Sequence, residues 1–175
     1  MTKNIIICAA LMLCSICASA QQHYKSYSRA TGYKAFADVD LMGTFNDKTH
    51  NVYLGFSTSH GYQFFPYFFL GGGIGVDMHM QKNQDTFTYV PLFGQARVNL
   101  TNTRTSPYID FKGGYSLADL EGGMLEASVG VSYAIRHRFA INMALVFTRN
   151  NVKYLKDVKT DEKQNHLSLQ FGFEF

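Results

Sequence analysis

By polarity alone, the last ten residues, HLSLQFGFEF (166–175), alternate without a miss. Leu167, Leu169, Phe171, Phe173 and Phe175 share one parity, and His166, Ser168, Gln170, Gly172 and Glu174 share the other. Successive side chains of a strand point to opposite faces, so this period predicts a strand with one apolar and one polar face. The pattern recurs in FAINMALVFT (139–148), LEASVGVSYAI (125–135), YIDFKGGYSL (108–117), VPLFGQARVNL (90–100) and FFLGGGIGVDMHM (68–80). It is looser in HNVYLGFSTSHGY (50–62) and YKAFADVDLMGTF (33–45), where Val52, Leu54, Phe56 and Ala35, Ala37, Val39, Leu41 keep the register. Eight segments of ten to thirteen residues result.

The segments are joined by NDKT, QFFPY, QKNQDT, TNTRTS, DLEGG, RHR and one long polar stretch, NNVKYLKDVKTDEKQN (150–165). A parallel crossover needs a dozen residues or more, so neighbouring strands must pair as antiparallel hairpins. The prediction is an all-β fold, an eight-stranded antiparallel up-and-down barrel. In a barrel dissolved in water the outer face would carry lysines and glutamates all round. Here the polar face holds small residues and isolated charges, and the other face is continuously apolar. That face suits lipid, which makes the barrel transmembrane. Aromatic residues gather where the interfaces would be. Tyr62, Phe64, Phe65, Tyr67, Tyr133, Phe139, Phe173 and Phe175 fall at one rim, and Phe45, Tyr53, Phe87, Tyr89 and Phe147 at the other.

Residues 1–20 are different material. Lys3, the apolar run IIICAALMLCSIC and Ala18-Ser19-Ala20 have the layout of a cleaved secretory signal peptide. Leu13 and Ile16 precede Cys14 and Cys17 where a lipoprotein signal wants a small residue. Residues 21–30 form a short N-terminal segment, and 31–175 the barrel domain. All three cysteines leave with the signal, so the exported chain has no thiol. One of 16 basic residues and none of 13 acidic ones leave too, taking the net charge from +3 to +2. So mild a basicity predicts no nucleic-acid partner. The longest largely apolar stretch left, FFPYFFLGGGIGV (64–76), is too short for a membrane helix and is broken by a proline and glycines.

At these residues the chain resembles the small eight-stranded outer-membrane β-barrel proteins of Gram-negative bacteria, the OmpA/OmpX-like group. The similarity covers residues 31–175. Its most specific piece is the C-terminal strand with Phe171, Phe173 and Phe175, which looks like the terminal aromatic signal read by the β-barrel assembly machinery. The stretch STSHGYQFFPYFFLGGGIGVD is similar to a family described as outer-membrane β-barrel domain. The resemblance implies an outer-membrane location and lipid as a partner, but no defined activity. The short connections depart from those of adhesin-type relatives.

The polar parity places Asp38, Asp40, Asp77, Arg97, Asp110, Lys112 and Glu126 in the lumen. Eight strands leave room only for side chains, so these charges are expected to pair in a structural network with Arg97 and Lys112 as its only mid-lumen cations. Gly71, Gly73 and Gly75 share that face, and a turn centred near Asn83–Gln84 pairs them with Arg97, Gln95 and Phe93. A phosphate-binding glycine loop would need a following helix, and none is readable. His166-x-Ser168 is similar in spacing to the lipid A deacylase barrels, yet both residues face the lumen by parity. His60 falls at the rim near the lipid-facing side with no partner legible. Pro91, inside a strand, must sit at a bulge or cost a ladder bond. The loop 150–165, with Lys153, Tyr154, Lys156, Lys159 and Lys163, is the candidate contact for a surface ligand.

The expectation is a non-enzymatic barrel with a filled lumen and no cofactor, serving envelope integrity or surface interaction. The alternatives are a lipid-modifying enzyme or a small pore. Export predicts a mature N-terminus at Gln21, readable by N-terminal sequencing of the envelope-bound protein; a lipidated Cys17 at the N-terminus would contradict it.

Overall fold

The computed structural model describes residues 29–46, 49–81, 87–117, 120–154 and 162–175. The signal peptide, most of the 21–30 segment, and Lys156 and Lys159 lie outside the described residues. Nine strands follow in order: β1 (Gly32–Asn46), β2 (Thr49–Phe65), β3 (Phe68–Gln81), β4 (Phe87–Tyr89), β5 (Pro91–Asn99), β6 (Thr105–Leu117), β7 (Leu120–Arg136), β8 (Phe139–Tyr154) and β9 (Glu162–Glu174). β4 and β5 both pair with β3 and form one staggered strand, so eight strands circle the barrel. Every pairing is antiparallel, neighbours in sequence are neighbours in space, and β1 closes onto β9. The seam runs from Phe36↔Glu174 to Leu41↔Leu169, and Ala35 and Phe175 exchange both backbone hydrogen bonds, at 3.1 and 2.9 Å. This is the predicted eight-stranded up-and-down barrel.

Period-two alternation sets which face is enclosed. Along β5 every second residue from Pro91 to Asn99 is buried. Among the described residues, 18 buried side chains are polar or charged and nine are apolar. Meanwhile Leu54, Phe56, Ile74, Leu92, Phe111, Leu145 and Leu169 stand outside, exposed. The molecule is inside-out relative to a water-soluble barrel, as the pattern implies. The lumen also holds aromatic rings: Phe93, which the glycine pairing already placed there, and Phe36, Phe69 and Tyr108.

Glycines make room for those rings. Phe93 lies between Gly73 of β3 and Gly114 of β6 in the ladder. A Cβ on Gly73 would meet the Phe93 ring at 2.7–2.8 Å, and one on Gly114 would meet Phe93 Cβ at 2.8 Å. Small residues opposite large ones fit a narrow barrel, as expected. The partners differ, however: Gly71 pairs with Gln95 and Gly73 with Phe93, two residues from the expected register. A slip of two keeps every side chain on its face, so alternation cannot detect it.

Pro91 breaks the strand without a bulge. Ile74↔Leu92 and Asp77↔Tyr89 lie in the same register, with only the Gly75–Val76 rungs interrupted. The lost ladder bond is the outcome, and Val90 still accepts the Leu117 amide at 3.1 Å. The strands also run longer than their apolar stretches. β8 and β9 pair from Ala140↔Glu174 to Val152↔Glu162, so residues 150–165 are not one polar loop. Beyond the apolar band both faces are polar, and the alternation that marks a strand disappears. At the opposite rim the turns are short: Pro66–Tyr67, His137–Arg138 and residues 100–104.

Gly73→Ala should lower the unfolding midpoint in denaturant by an amount matching 1–3 kcal/mol, roughly the cost of overpacking a filled interior. Gly94→Ala is the control, since the nearest atoms to its added Cβ lie at 3.9 and 4.0 Å. Equal midpoints for the two variants would show that the lumen is loosely packed.

Candidate functional site

The charged side chains of the inward parity meet in the lumen in three tiers. At the short-turn end, Lys34 of β1 and Glu174 of β9 form an ion pair across the closing seam. Arg29, which precedes β1, reaches into the same end. Its Nη1 lies 3.6 Å from Glu174 Oε2 and donates to Ser132 Oγ at 3.1 Å, and its Nη2 donates to the Ser132 carbonyl at 3.1 Å. The Arg29 amide donates to Asn102 Oδ1 at 2.8 Å, which ties the segment to the 100–104 turn. Gly32 follows at φ 114°, a left-handed conformation that favours glycine, and turns the chain from this anchor into β1.

In the middle tier Arg97 is fully buried. Its guanidinium lies between two rings, 4.1 Å from the centroid of Phe36 and 4.2 Å from that of Tyr108. Its Nε donates to Asp110 Oδ2 at 2.7 Å, and Gln95 Nε2 donates to the same oxygen at 2.5 Å. Ser59 donates in turn to Gln95 Oε1. The two Nη atoms make no hydrogen bond among the described residues. Two aromatic faces and one carboxylate therefore hold this charge, a combination that suits a planar, weakly hydrated cation.

In the upper tier Lys112 Nζ lies 3.0 Å from Glu126 Oε1 and 3.5 Å from Asp38 Oδ2. Asp40 Oδ2 accepts from Gln170 Nε2 at 3.3 Å. Above it is a cavity of about 30 Å³, lined by Asp40, Asp77, Met124, Glu126, Thr148, Asn150, His166 and Ser168. That volume holds a water or two.

Of the seven predicted lumen charges, Arg97 pairs with Asp110, Lys112 with Asp38 and Glu126, Asp40 accepts from Gln170, and Asp77 lines the cavity with Asp40 and Glu126. Arg29 and Lys34, with Glu174, form a second cluster at the short-turn end, outside the mid-lumen network that was expected. Lys34 shares the parity of Asp38, a signal present in the sequence, whereas Arg29 lies before the first alternating segment. His166 and Ser168 face the cavity, as parity implies. His60 is outside the barrel, as expected, but it has partners. Tyr33 Oη lies 2.7 Å from its Nδ1 and Thr58 Oγ1 lies 3.3 Å from its Nε2. Cross-strand register places Tyr33 and His60 on adjoining strands, which sequence spacing could not show.

Phe171, Phe173 and Phe175 all point outward, and Phe139 packs on Phe173 and Phe175 at centroid distances of 6.1 and 5.5 Å. Lys153, Tyr154 and Lys163 belong to the strand ends of β8 and β9, and their side chains lie outside the described residues. The side chains of Phe45, Tyr53, Phe87 and Tyr89 do as well. Among the described residues no group of three or more His, Cys, Asp or Glu is arranged to hold a metal ion.

No family model matches the chain, and no curated protein matches it. Among solved structures it is similar to one from the de novo design of transmembrane β-barrels, at 14% identity and a TM-score of 0.47, covering 86% of this chain and 98% of that one. It is also similar to the outer membrane enzyme PagL, at 10% identity and a TM-score of 0.47, covering 81% of this chain and 98% of that one. Identity this low ties no residue of this chain to a residue of either.

Arg97→Ala should destabilise the barrel by roughly 3–5 kcal/mol, because it leaves Asp110 buried without its cation. Unfolding in denaturant measures this, and planar bilayers should show no steady conductance in the wild type. A water-filled lumen would give the opposite result, with little loss of stability and a conductance whose ion selectivity changes in Arg97→Ala.

Proposed function

We propose that this protein is an integral outer-membrane barrel of the OmpA/OmpX-like kind, exported by its signal peptide and non-enzymatic, with a role in envelope integrity or surface interaction. The observation that carries the reading is the exposed apolar belt around a charged interior. On β8 the outward residues Phe139, Ile141, Met143, Leu145 and Phe147 are followed by Arg149. Eight residue steps of ~3.3 Å give about 26 Å along the strand. At a tilt of ~40° that is roughly 20 Å of height, near the ~25 Å apolar band of outer-membrane barrels. Water offers no stabilisation for such a belt, whereas lipid does. A filled lumen makes a solute pore the weaker alternative.

In this reading Phe171, Phe173 and Phe175 form the signal for the β-barrel assembly machinery, and Phe173 and Phe175 serve also as part of the lower aromatic girdle. β8 runs on to Tyr154 and β9 begins at Glu162, both past the belt, and the segment with Lys153, Tyr154, Lys156, Lys159 and Lys163 is the proposed contact for a surface ligand. The lipid-modifying alternative has one observation in its favour, the outward group Thr58, His60 and Tyr33. Thr58 Oγ1, the nucleophile such chemistry would use, also donates to the Phe36 carbonyl at 3.1 Å. A hydroxyl held by the sheet is a poor candidate, so the non-enzymatic reading is the better supported.

Fractionation of cells should place the protein in the outer membrane. Unheated, it should run anomalously on a denaturing gel and shift on boiling. In vesicles, Leu145→Arg should cost about 2–4 kcal/mol of folding free energy, the penalty for a charge near the bilayer midplane. A neutral Leu145→Arg in folded, vesicle-bound protein would reverse the assignment of faces.

A further inference from the structure

The two ends of the barrel differ in charge. The segments joining β1 to β2, β3 to β4, β6 to β7 and β8 to β9 (residues 46–49, 81–87, 117–122 and 149–165) contain seven acidic residues and seven lysines or arginines. The opposite rim carries Arg104, Arg136 at the end of β7, His137 and Arg138, and its connections contain no acidic residue. All four of these are exposed. They belong to adjoining turns, since the Arg104 carbonyl accepts the Ala134 amide at 2.7 Å. The acidic side chain nearest this rim among the described residues is Glu174, which is buried in the lumen against Lys34 and Arg29.

Depth selects the partner. Tyr133 and Phe173 mark the aromatic edge of the apolar belt on these strands, both about half exposed. Arg136 lies three residues beyond Tyr133, Arg138 lies in the turn one residue before Phe139, which pairs with Arg136, and Arg104 lies one residue before Thr105, which pairs with Tyr133. At ~3.3 Å per residue the guanidiniums stand within roughly 10–15 Å of that edge, at headgroup level if the belt is in lipid. The fork of a guanidinium fits phosphate oxygens in pairs.

We infer that this rim is a basic collar that binds the phosphates of anionic phospholipids in the leaflet it meets. The inference rests on the membrane reading above, and it names the lipid class that the lower rim selects. It also assigns the asymmetry a purpose: a positive collar at one end and a neutral mixture at the other favour one orientation in a bilayer whose leaflets differ in charge.

The test is boundary-lipid selectivity by electron spin resonance, with the folded protein in phosphatidylcholine vesicles doped with spin-labelled phosphatidylglycerol or spin-labelled phosphatidylcholine. The wild type should prefer the anionic label several-fold, up to about fivefold at a site beside one arginine. The preference should fall towards one in 0.5 M salt and in the R104Q/R136Q/R138Q variant, with folding checked by the heat-dependent gel shift. If that variant does not fold, the salt titration of the wild type still decides the matter. A motionally restricted component that ignores lipid charge overturns the collar and leaves the membrane reading standing. No restricted component with either label overturns both. A wild-type barrel indifferent to lipid charge but retained on immobilised polyglutamate would overturn the lipid assignment in favour of a soluble acidic partner.

Discussion

A sheet with an apolar outer face can leave no edge, because unpaired amides and carbonyls have nothing to bond in an apolar surround. The rest of the molecule depends on the seam between β1 and β9, where the first and last strands meet. Closing eight strands fixes the diameter, and the diameter leaves room only for side chains. Parity then divides each strand between an outside that is Leu, Ile, Val and Phe and an inside that must be filled. The charged lumen is thus a consequence of closure. It demands that each buried charge have a counter-charge within reach, and Arg97–Asp110 and Lys112–Glu126 meet that demand in the middle of the barrel.

The seam also carries its own ion pairs. Lys34 and Glu174 belong to the two strands that close the barrel, and Arg29 adds a third member from outside the sheet. Removing a carboxylate there would leave two buried cations facing one another, so the ends of the chain are coupled electrostatically as well as through the backbone ladder. Packing follows the same economy of space. Phe69 and Phe93 occupy the lumen only because Gly61, Gly71, Gly73 and Gly114 present no side chain towards them.

Much of this was legible in the sequence, and the reason is the period of two. It put Asp38, Arg97, Asp110, Lys112 and Glu126 inside and Leu145, Phe171 and Phe173 outside before any pairing was known. What it could not supply is whatever parity does not encode. A two-residue change of register leaves all faces unaltered, so Gly73 was matched to Gln95 when its partner is Phe93. Strand length beyond the apolar belt was hidden because Asn150 and Asn165 are polar neighbours of polar residues. Arg29 sits ahead of all alternation, and the partners of His60 come from a cross-strand contact. The function beyond location rests on features that alternation does not describe, in particular the charge of the rims.

The central claim is that the face bearing Leu167, Leu169, Phe171 and Phe173 meets lipid and the face bearing Ser168, Gln170 and Gly172 does not. Labelling by a photoactivated carbene carried on an acyl chain, mapped residue by residue with mass spectrometry along 166–175, tests it most directly. The account predicts incorporation at alternate positions, with Leu167, Leu169, Phe171 and Phe173 labelled and Ser168, Gln170 and Gly172 spared. Uniform labelling, or labelling of the opposite parity, would contradict it.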